Sequence, residues 1–350
     1  MRQEEFGVTP TGEKVKKFTL TNDAGMEVDL TDFGACILAV RVPGSHGNLI
    51  DVVLGYDTLE EYFQNAPGFG AYVGRNCNRI QDAWVKIAGV TYLLEANNHG
   101  HNLHSGSDRS HYKVYSTVSG KNDEGEYVEL RRLSPHLEQG YPGNLKQLIR
   151  YTLSENNELI IDYEMESDKD TVINPTNHSY FNLQGHNSGS VRSHILEIYT
   201  NKFLPTDPEL IPTGEVATVD GTPMDFTRPK SVGKDIEAEY TPIQIGSGYD
   251  HNYVFPNDGL LRPVARLHCL ESGIVMDVSS DCCGLQVYSG NFLDGVKGKD
   301  NAVYEKYAGI CFETQNYPNA CKTPGFPTSI VAANKKFQSR SIYKFTVMDN

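Results

Sequence analysis

The sequence holds no apolar run long enough to cross a bilayer, which sets aside a helical membrane protein. It is poor in positive charge: 31 Lys and Arg stand against 45 Asp and Glu, a formal net charge of −14 at pH 7. Such a chain repels phosphate backbones and anionic lipid, so neither nucleic acid nor a membrane surface is expected as a partner. No Cys-x-x-Cys pair occurs among the seven cysteines, removing the common zinc and dithiol-redox patterns. Cys282 and Cys283 are adjacent, a poor geometry for a bridge, and the odd total points to reduced thiols in a cytoplasmic protein. Met1-Arg2-Gln3-Glu4-Glu5-Phe6 has no apolar stretch behind it, so no signal peptide is expected. Helical periodicity is nearly absent, as are internal repeats and low-complexity tracts.

What the chain has instead is strand and turn. Thirty-two Gly and 17 Pro are scattered through 350 residues. Between them lie short runs rich in Val, Ile, Tyr and Thr, which suit a pleated surface. Lys17 to Leu20 and Met26 to Leu30 flank the turn Asn22-Asp23-Ala24-Gly25 and predict a hairpin. Leu148–Leu153 with Leu159–Tyr163 predicts a second, and Val264–Leu270 with Ile274–Val278 a third. Tyr343 to Val347 reads as a closing strand. One helix is expected, at Thr58-Leu59-Glu60-Glu61-Tyr62-Phe63, where Thr58 or Asp57 caps and Glu61 completes a box. Strands without interleaved helices exclude a doubly wound sheet or a (β/α)₈ barrel. The expectation is an all-β fold, a large antiparallel β-sandwich, with residues 1–350 as a single domain.

Five polar segments interrupt this pattern. In Gly70-Ala71-Tyr72-Val73-Gly74-Arg75-Asn76-Cys77-Asn78-Arg79-Ile80 the glycine spacing is wrong for a dinucleotide loop and no helix follows. Its Asn and Arg side chains suit an oxygen-rich ligand, or a turn held by internal hydrogen bonds. His99-Gly100-His101-Asn102-Leu103-His104-Ser105-Gly106 places three histidines in six residues. Without a second His/Cys cluster, a solvated loop is the commoner outcome than a metal site. His178, in Asn174-Pro175-Thr176-Asn177-His178-Ser179-Tyr180-Phe181-Asn182-Leu183, suits proton transfer near neutral pH, although a lone histidine is more often structural. Asp250, in Tyr249-Asp250-His251-Asn252, enters a strand where Asp is costly unless it accepts hydrogen bonds, for instance from sugar hydroxyls. Glu313 lies in the apolar context Ile310-Cys311-Phe312, where desolvation raises a carboxyl toward the range of a general base; the plain alternative is a strand-end Glu facing water.

Taken in order, Gly74-Arg75, Asn78-Arg79-Ile80, Asn102-Leu103-His104, Thr176 to Leu183, Tyr249 to Asn252, Tyr288 with Gly290 to Gly295, and Glu313-Thr314-Gln315 through Pro324-Gly325-Phe326-Pro327 resemble the aldose 1-epimerase (galactose mutarotase) family. The resemblance runs from about residue 10 to the C-terminus. It implies a galactose mutarotase-like supersandwich and a cofactor-free isomerase that interconverts the α and β anomers of aldoses such as galactose and glucose. Carried over by position, it implies Glu313 as general base, His178 as general acid, and Asn78, Arg79, His104, Asp250 and Gln286 as the sugar-binding set. No metal and no cofactor are expected; the partner is a small monosaccharide, and the assembly a monomer or homodimer. Ser105, His99, His101 and Cys77 depart from the commonest family pattern.

Three rivals accompany this expectation. A noncatalytic carbohydrate-binding sandwich would keep Asn78, Arg79 and Asp250 without needing Glu313 and His178 together. An anomerase for hexose 6-phosphates would need a cationic pocket, for which Arg75 and Arg79 are the available groups. A glycoside hydrolase would need two carboxylates across the glycosidic bond, nominally Asp250 and Glu313.

Overall fold

The computed structural model describes residues 1–45 and 47–348. Its strands alternate as half-buried strands must. In Glu158–Ser167, Leu159, Ile161, Tyr163 and Met165 turn inward while Asp162, Glu164 and Glu166 turn toward solvent. Its neighbour Leu145–Leu153 does the same, setting Ile149 opposite Tyr163 and Tyr151 opposite Ile161. These two form the second expected hairpin. The first joins Lys14–Thr21 to Glu27–Thr31, and the third joins Arg262–His268 to Ile274–Ser280.

The hairpins assemble into three main antiparallel sheets. Arg2–Val8, Lys14–Thr21, Glu27–Thr31, Ile37–Pro43 and Leu49–Asp51 form a five-stranded meander. A nine-stranded sheet has the closing strand Lys336–Val347 at its centre, between Glu158–Ser167 and Ile274–Ser280. A six-stranded sheet runs in the order Tyr180–Phe181, Ile310–Gln315, Gly284–Tyr288, Asp250–Val254, Lys202–Phe203, Ala217–Thr218. The fold is all-β.

The six- and nine-stranded sheets pack face to face. Tyr343 donates from the long sheet to the Phe312 carbonyl at 2.7 Å, its ring stacks on Phe181 at 5.2 Å between centroids, and the Thr314 and Ser341 hydroxyls meet at 2.6 Å. One face of the strand Ile310–Gln315 is therefore core, through Ile310, Phe312 and Thr314. Alternation sends Cys311, Glu313 and Gln315 to the other face. All six residues are buried.

Helix is scarce. The expected one spans Leu59–Tyr62, with the Thr58 N–H donating to the Glu61 carboxylate at 3.0 Å. A second, Thr241–Gly246, was not expected, because six residues are too few to show a period. It ends in Ser247 with φ of 55°, and the chain then turns into Asp250–Val254. Asn291 Nδ2 ties that turn down by donating to the Gly246 and Tyr249 carbonyls at 2.7 and 2.9 Å.

Candidate active site

Three adjacent strands build one wall of a cavity. Asp250, Tyr288 and Cys311 face each other across the first row, and Asn252, Gln286 and Glu313 across the next. Thr176–His178 extends this wall beside Ile310–Gln315, and it pairs with Ala71–Val73, setting His178 opposite Ala71. Gly70, just ahead of that pair, holds φ of +66°, and a Cβ there would lie 1.9 Å from the Ile37 carbonyl oxygen. Only glycine lets the chain approach this closely. Another wall is the pair Arg79–Ile80 and Asn102–Leu103, which carries Asn78 and His104 at its ends.

The cavity enclosed is about 550 Å³, and Asn78, Arg79, His104, His178, Asp250 and Glu313 all line it. Gln286 lies one layer behind, where its Nε2 donates to Asp250 Oδ1 at 2.7 Å. All seven residues named from the sequence thus converge from segments more than 200 residues apart in the chain, since Asn78 and Glu313 meet here.

At the centre, Glu313 Oε1 and His178 Nε2 are 3.7 Å apart, with side chains 3% and 8% exposed. Glu313 Oε2 has no hydrogen-bond partner among the described residues. Burial pushes the Glu313 carboxyl well above the usual carboxylate range, the Asp250 charge adds to this, and Arg79 opposes it. Burial also pushes the His178 imidazole down to about 4. Asp250 is raised by burial too, against the pull of Arg79 and the Gln286 hydrogen bond. The two shifts run in opposite directions, so burial favours a neutral imidazole beside a protonated carboxyl.

Each remaining polar group is oriented by a neighbour. Cys311 Sγ lies 3.6 Å from His178 Nδ1, and burial keeps the thiol protonated, so Nδ1 has a weak partner that donates to it when the ring proton is on Nε2 and accepts from it when Nε2 is bare. The Asn78 N–H donates to His104 Nδ1 at 3.2 Å, which places the ring proton of His104 on Nε2. Burial holds His104 well below its ordinary value, a neutral donor. Arg79 Nε donates to Asn98 Oδ1 at 3.0 Å, bracing the guanidinium at the cavity edge.

The three clustered histidines go separate ways. His104 lines the cavity, His101 accepts from the Asp82 N–H at 3.0 Å and meets Glu209 at 3.2 Å, and His99 is exposed. Among the described residues no group of three His, Cys, Asp or Glu side chains is placed to hold a metal ion. Arg75 also stays outside the cavity. It is fully buried and donates to Ser134 Oγ, Thr171 Oγ1 and the carbonyls of Ser134, Pro135, Pro142 and Gly143. The departures at Ser105 and Cys77 sit behind the wall, where Ser105 braces the Asn76 backbone and Cys77 donates to Gln315 Oε1 at 3.0 Å. All seven cysteines are free thiols.

The family model described as Aldose 1-epimerase matches residues 16–344. The chain belongs to the aldose 1-epimerase family. It is 40% identical to the galactose mutarotase of Homo sapiens over 344 residues, 98% of this chain and 97% of that one. It is 31% identical to the aldose 1-epimerase of Escherichia coli K12 over 348 residues, 99% of each. The crystal structure of galactose 1-epimerase from Lactobacillus acidophilus superposes with a TM-score of 0.88 at 26% identity, covering 99% of both chains. Like the family, the chain is an isomerase.

This aldose 1-epimerase site also contains groups to which the sequence motifs assigned no role. Tyr288 and Cys311 follow from strand alternation, each lying two residues from a named group, Gln286 and Glu313. Tyr180, Arg109, His111 and Phe292 line the cavity as well. Arg109 and His111 arrive on an irregular stretch whose path no local pattern encodes.

Proposed function

We propose that the chain interconverts the α and β anomers of free aldoses, D-galactose and D-glucose among them, by acid–base ring opening and reclosure. The observation that carries this reading is the facing of Glu313 Oε1 and His178 Nε2 across 3.7 Å in one buried cavity. The names of the relatives, galactose mutarotase and aldose 1-epimerase, point the same way.

The pair works as a holder of one proton. With the proton on His178, the Glu313 carboxylate removes the anomeric hydroxyl proton while His178 protonates the ring oxygen. The bond from the anomeric carbon to the ring oxygen breaks and leaves the open-chain aldehyde. The proton of the pair now rests on Glu313, the arrangement that burial favours in the shifts of both groups. Rotation about the adjacent carbon–carbon bond presents the other carbonyl face. His178 then takes the proton from the C5 hydroxyl oxygen (the former ring oxygen), Glu313 returns its own to the carbonyl oxygen, and the other anomer closes. No proton is gained or lost over the cycle. Asn78, Arg79, His104 and Asp250 supply donors and acceptors for the ring hydroxyls, with Gln286 orienting Asp250.

The magnitudes agree. Spontaneous mutarotation over many minutes corresponds to a barrier of roughly 21–22 kcal/mol, and a rate of about 10³ per second requires removing roughly 8 of them. A positioned acid and base contribute about 10²–10⁴-fold each, on the order of 5–11 kcal/mol together. The reading takes the whole chain as one catalytic domain, a monomer or homodimer acting in the cytoplasm without a cofactor. Arg75, one of the two cations expected for a phosphorylated sugar, is committed to backbone carbonyls, so such a substrate would have to rely on Arg79 and Arg109.

Polarimetry of freshly dissolved α-D-galactose and α-D-glucose tests it. The expected result is accelerated decay to the same equilibrium rotation as the enzyme-free control. No acceleration with either sugar overturns the reading.

A further inference from the structure

Behind the main cavity, on the same sheet face, lies a crevice of about 10 Å³, lined by Asn252, Gln286 and Thr206 and shared with Asn78, Arg79 and Asp250. Asn252, Gln286 and Glu313 form one row across three strands. Asn252 and Gln286 are 2% and 4% exposed. The next position on the middle strand is Gly284, where a Cβ would lie 2.7 Å from Asn252 Oδ1, so glycine is what leaves the amide its room.

The polar accounting here is incomplete within the protein. Among the described residues Asn252 Nδ2, Asn252 Oδ1, Gln286 Oε1 and Thr206 Oγ1 have no hydrogen-bond partner. The Gln286 amide cannot be reversed to mend this. Its Nε2 donates to the Asp250 carboxylate at 2.7 Å, and the opposite orientation would set oxygen against oxygen. Its Oε1 is thereby the atom left without a partner in a residue that lines the crevice. The large majority of buried side-chain polar atoms are hydrogen-bonded to protein or to ordered water, and a polar crevice the size of one water molecule, with several such groups around it, meets the requirements for a bound water.

We propose that this crevice binds one structural water molecule, held between Asn252 and Gln286 with Thr206 beside it, and that Asn252 is thereby a positioning residue for the sugar-binding Asp250. The water donates to Gln286 Oε1 and accepts from Asn252 Nδ2. This locks the Gln286 amide in the orientation that presents its N–H to Asp250, and so fixes the carboxylate at the cavity wall. Asn252 does not itself line the main cavity; its action passes through the water and Gln286. The effect on sugar binding rests on the function proposed above, whereas the water itself does not.

A high-resolution crystal structure of the wild-type protein and kinetics of two variants test this. Expected is one ordered water within hydrogen-bond distance of both Asn252 and Gln286. Asn252→Leu fills the crevice with an apolar side chain and should raise KM for galactose about tenfold, with kcat moving less. Asn252→Ser, which keeps a hydroxyl to hold the water, should recover most of that loss. A dry crevice, a Gln286 Oε1 bonded directly to protein, an unchanged KM in the Leu variant, or a Ser variant as impaired as the Leu one overturns the proposal. If the Leu variant does not fold, the wild-type density and the Ser variant decide. If the wild-type protein turns over neither sugar, the function fails, and the water and the Asp250 position are still read from the wild-type and variant structures.

Discussion

Glu313→Gln separates the chemistry of this site from its cost to the fold. The change keeps shape and volume and leaves an amide oxygen to accept from a sugar hydroxyl, but no group able to take the proton. Loss of a positioned base costs about 10²–10⁴-fold, equivalent to about 3–5 kcal/mol of transition-state stabilisation. The effect on stability has the opposite sign. Burial holds the Glu313 carboxyl above its ordinary 4.5, so the folded state keeps a proton that the unfolded chain releases. Below pH 4.5 both states are protonated and the group costs nothing. As pH rises above that value the unfolded chain ionises first, and stability falls until the pH passes the folded value. Each unit of such a shift costs about 1.4 kcal/mol once both states have ionised. The Gln variant carries no such term. It should therefore match wild type in thermal unfolding at pH 4 and exceed it increasingly toward pH 7. Polarimetry with α-D-galactose and thermal melts followed by circular dichroism across that range check both halves. A near-wild-type rate refutes Glu313 as the base, and a variant less stable than wild type at pH 7 refutes the desolvation argument.

His178→Asn should lower kcat by about 10²–10⁴-fold with the fold intact, measured by polarimetry and circular dichroism; a smaller loss than tenfold refutes the acid assignment. Cys311→Ala removes the hydrogen-bond partner of Nδ1 and should lower kcat about tenfold, with Cys311→Ser restoring most of it and the nitrogen-15 shifts of His178 reporting the change of tautomer. Arg75→Lys should be a stability variant, losing at least about 3 kcal/mol in urea unfolding, because an ammonium cannot reach six acceptors spread around a planar fork. An Arg75→Lys protein of normal stability and lost activity contradicts its placement outside the site. The rate kcat/KM should hold from neutral pH to about pH 5 and fall as pH drops through about 4, where His178 takes a second proton onto the pair while Glu313 keeps its own. An acid limb near 6.5, the value of an ordinary histidine, refutes the burial argument.

The strands were legible because a half-buried sheet writes itself in alternation, and the three expected hairpins occur where the turn residues put them. The helix Thr241–Gly246 was not legible, since one and a half turns carry no period and only Ile243 and Gly246 are buried. The site residues were legible as motifs, each polar where a strand ought to be apolar. Their convergence was not, because it depends on which strands neighbour which, and that is set by pairing across the whole chain. Arg75 and Arg79 show the limit. Four residues apart in one motif, they look alike in sequence, yet one lines the cavity and the other is sealed among carbonyls. The three histidines from 99 to 104 divide in the same way, because positive φ at His99 and His104 turns the chain twice within six residues.

The arrangement also explains why a sheet suits this chemistry. Cross-strand register fixes Glu313 beside Gln286, and the pairing of His178 with Ala71 fixes His178, so neither of the two groups proposed as catalytic can move far. Mutarotation asks for movement only in the substrate, whose aldehyde must turn by about half a revolution between opening and closing. A cavity of about 550 Å³ between rigid walls permits that turn. In the proposed mechanism one proton is shared by one pair, so the steps that open one anomer are the reverse of those that close it, and the same two groups serve both faces of the carbonyl. Tight recognition therefore belongs on the ring hydroxyls, through Arg79, His104 and Asp250, and not on the anomeric hydroxyl. A group there that favoured one orientation would hold back one of the two products.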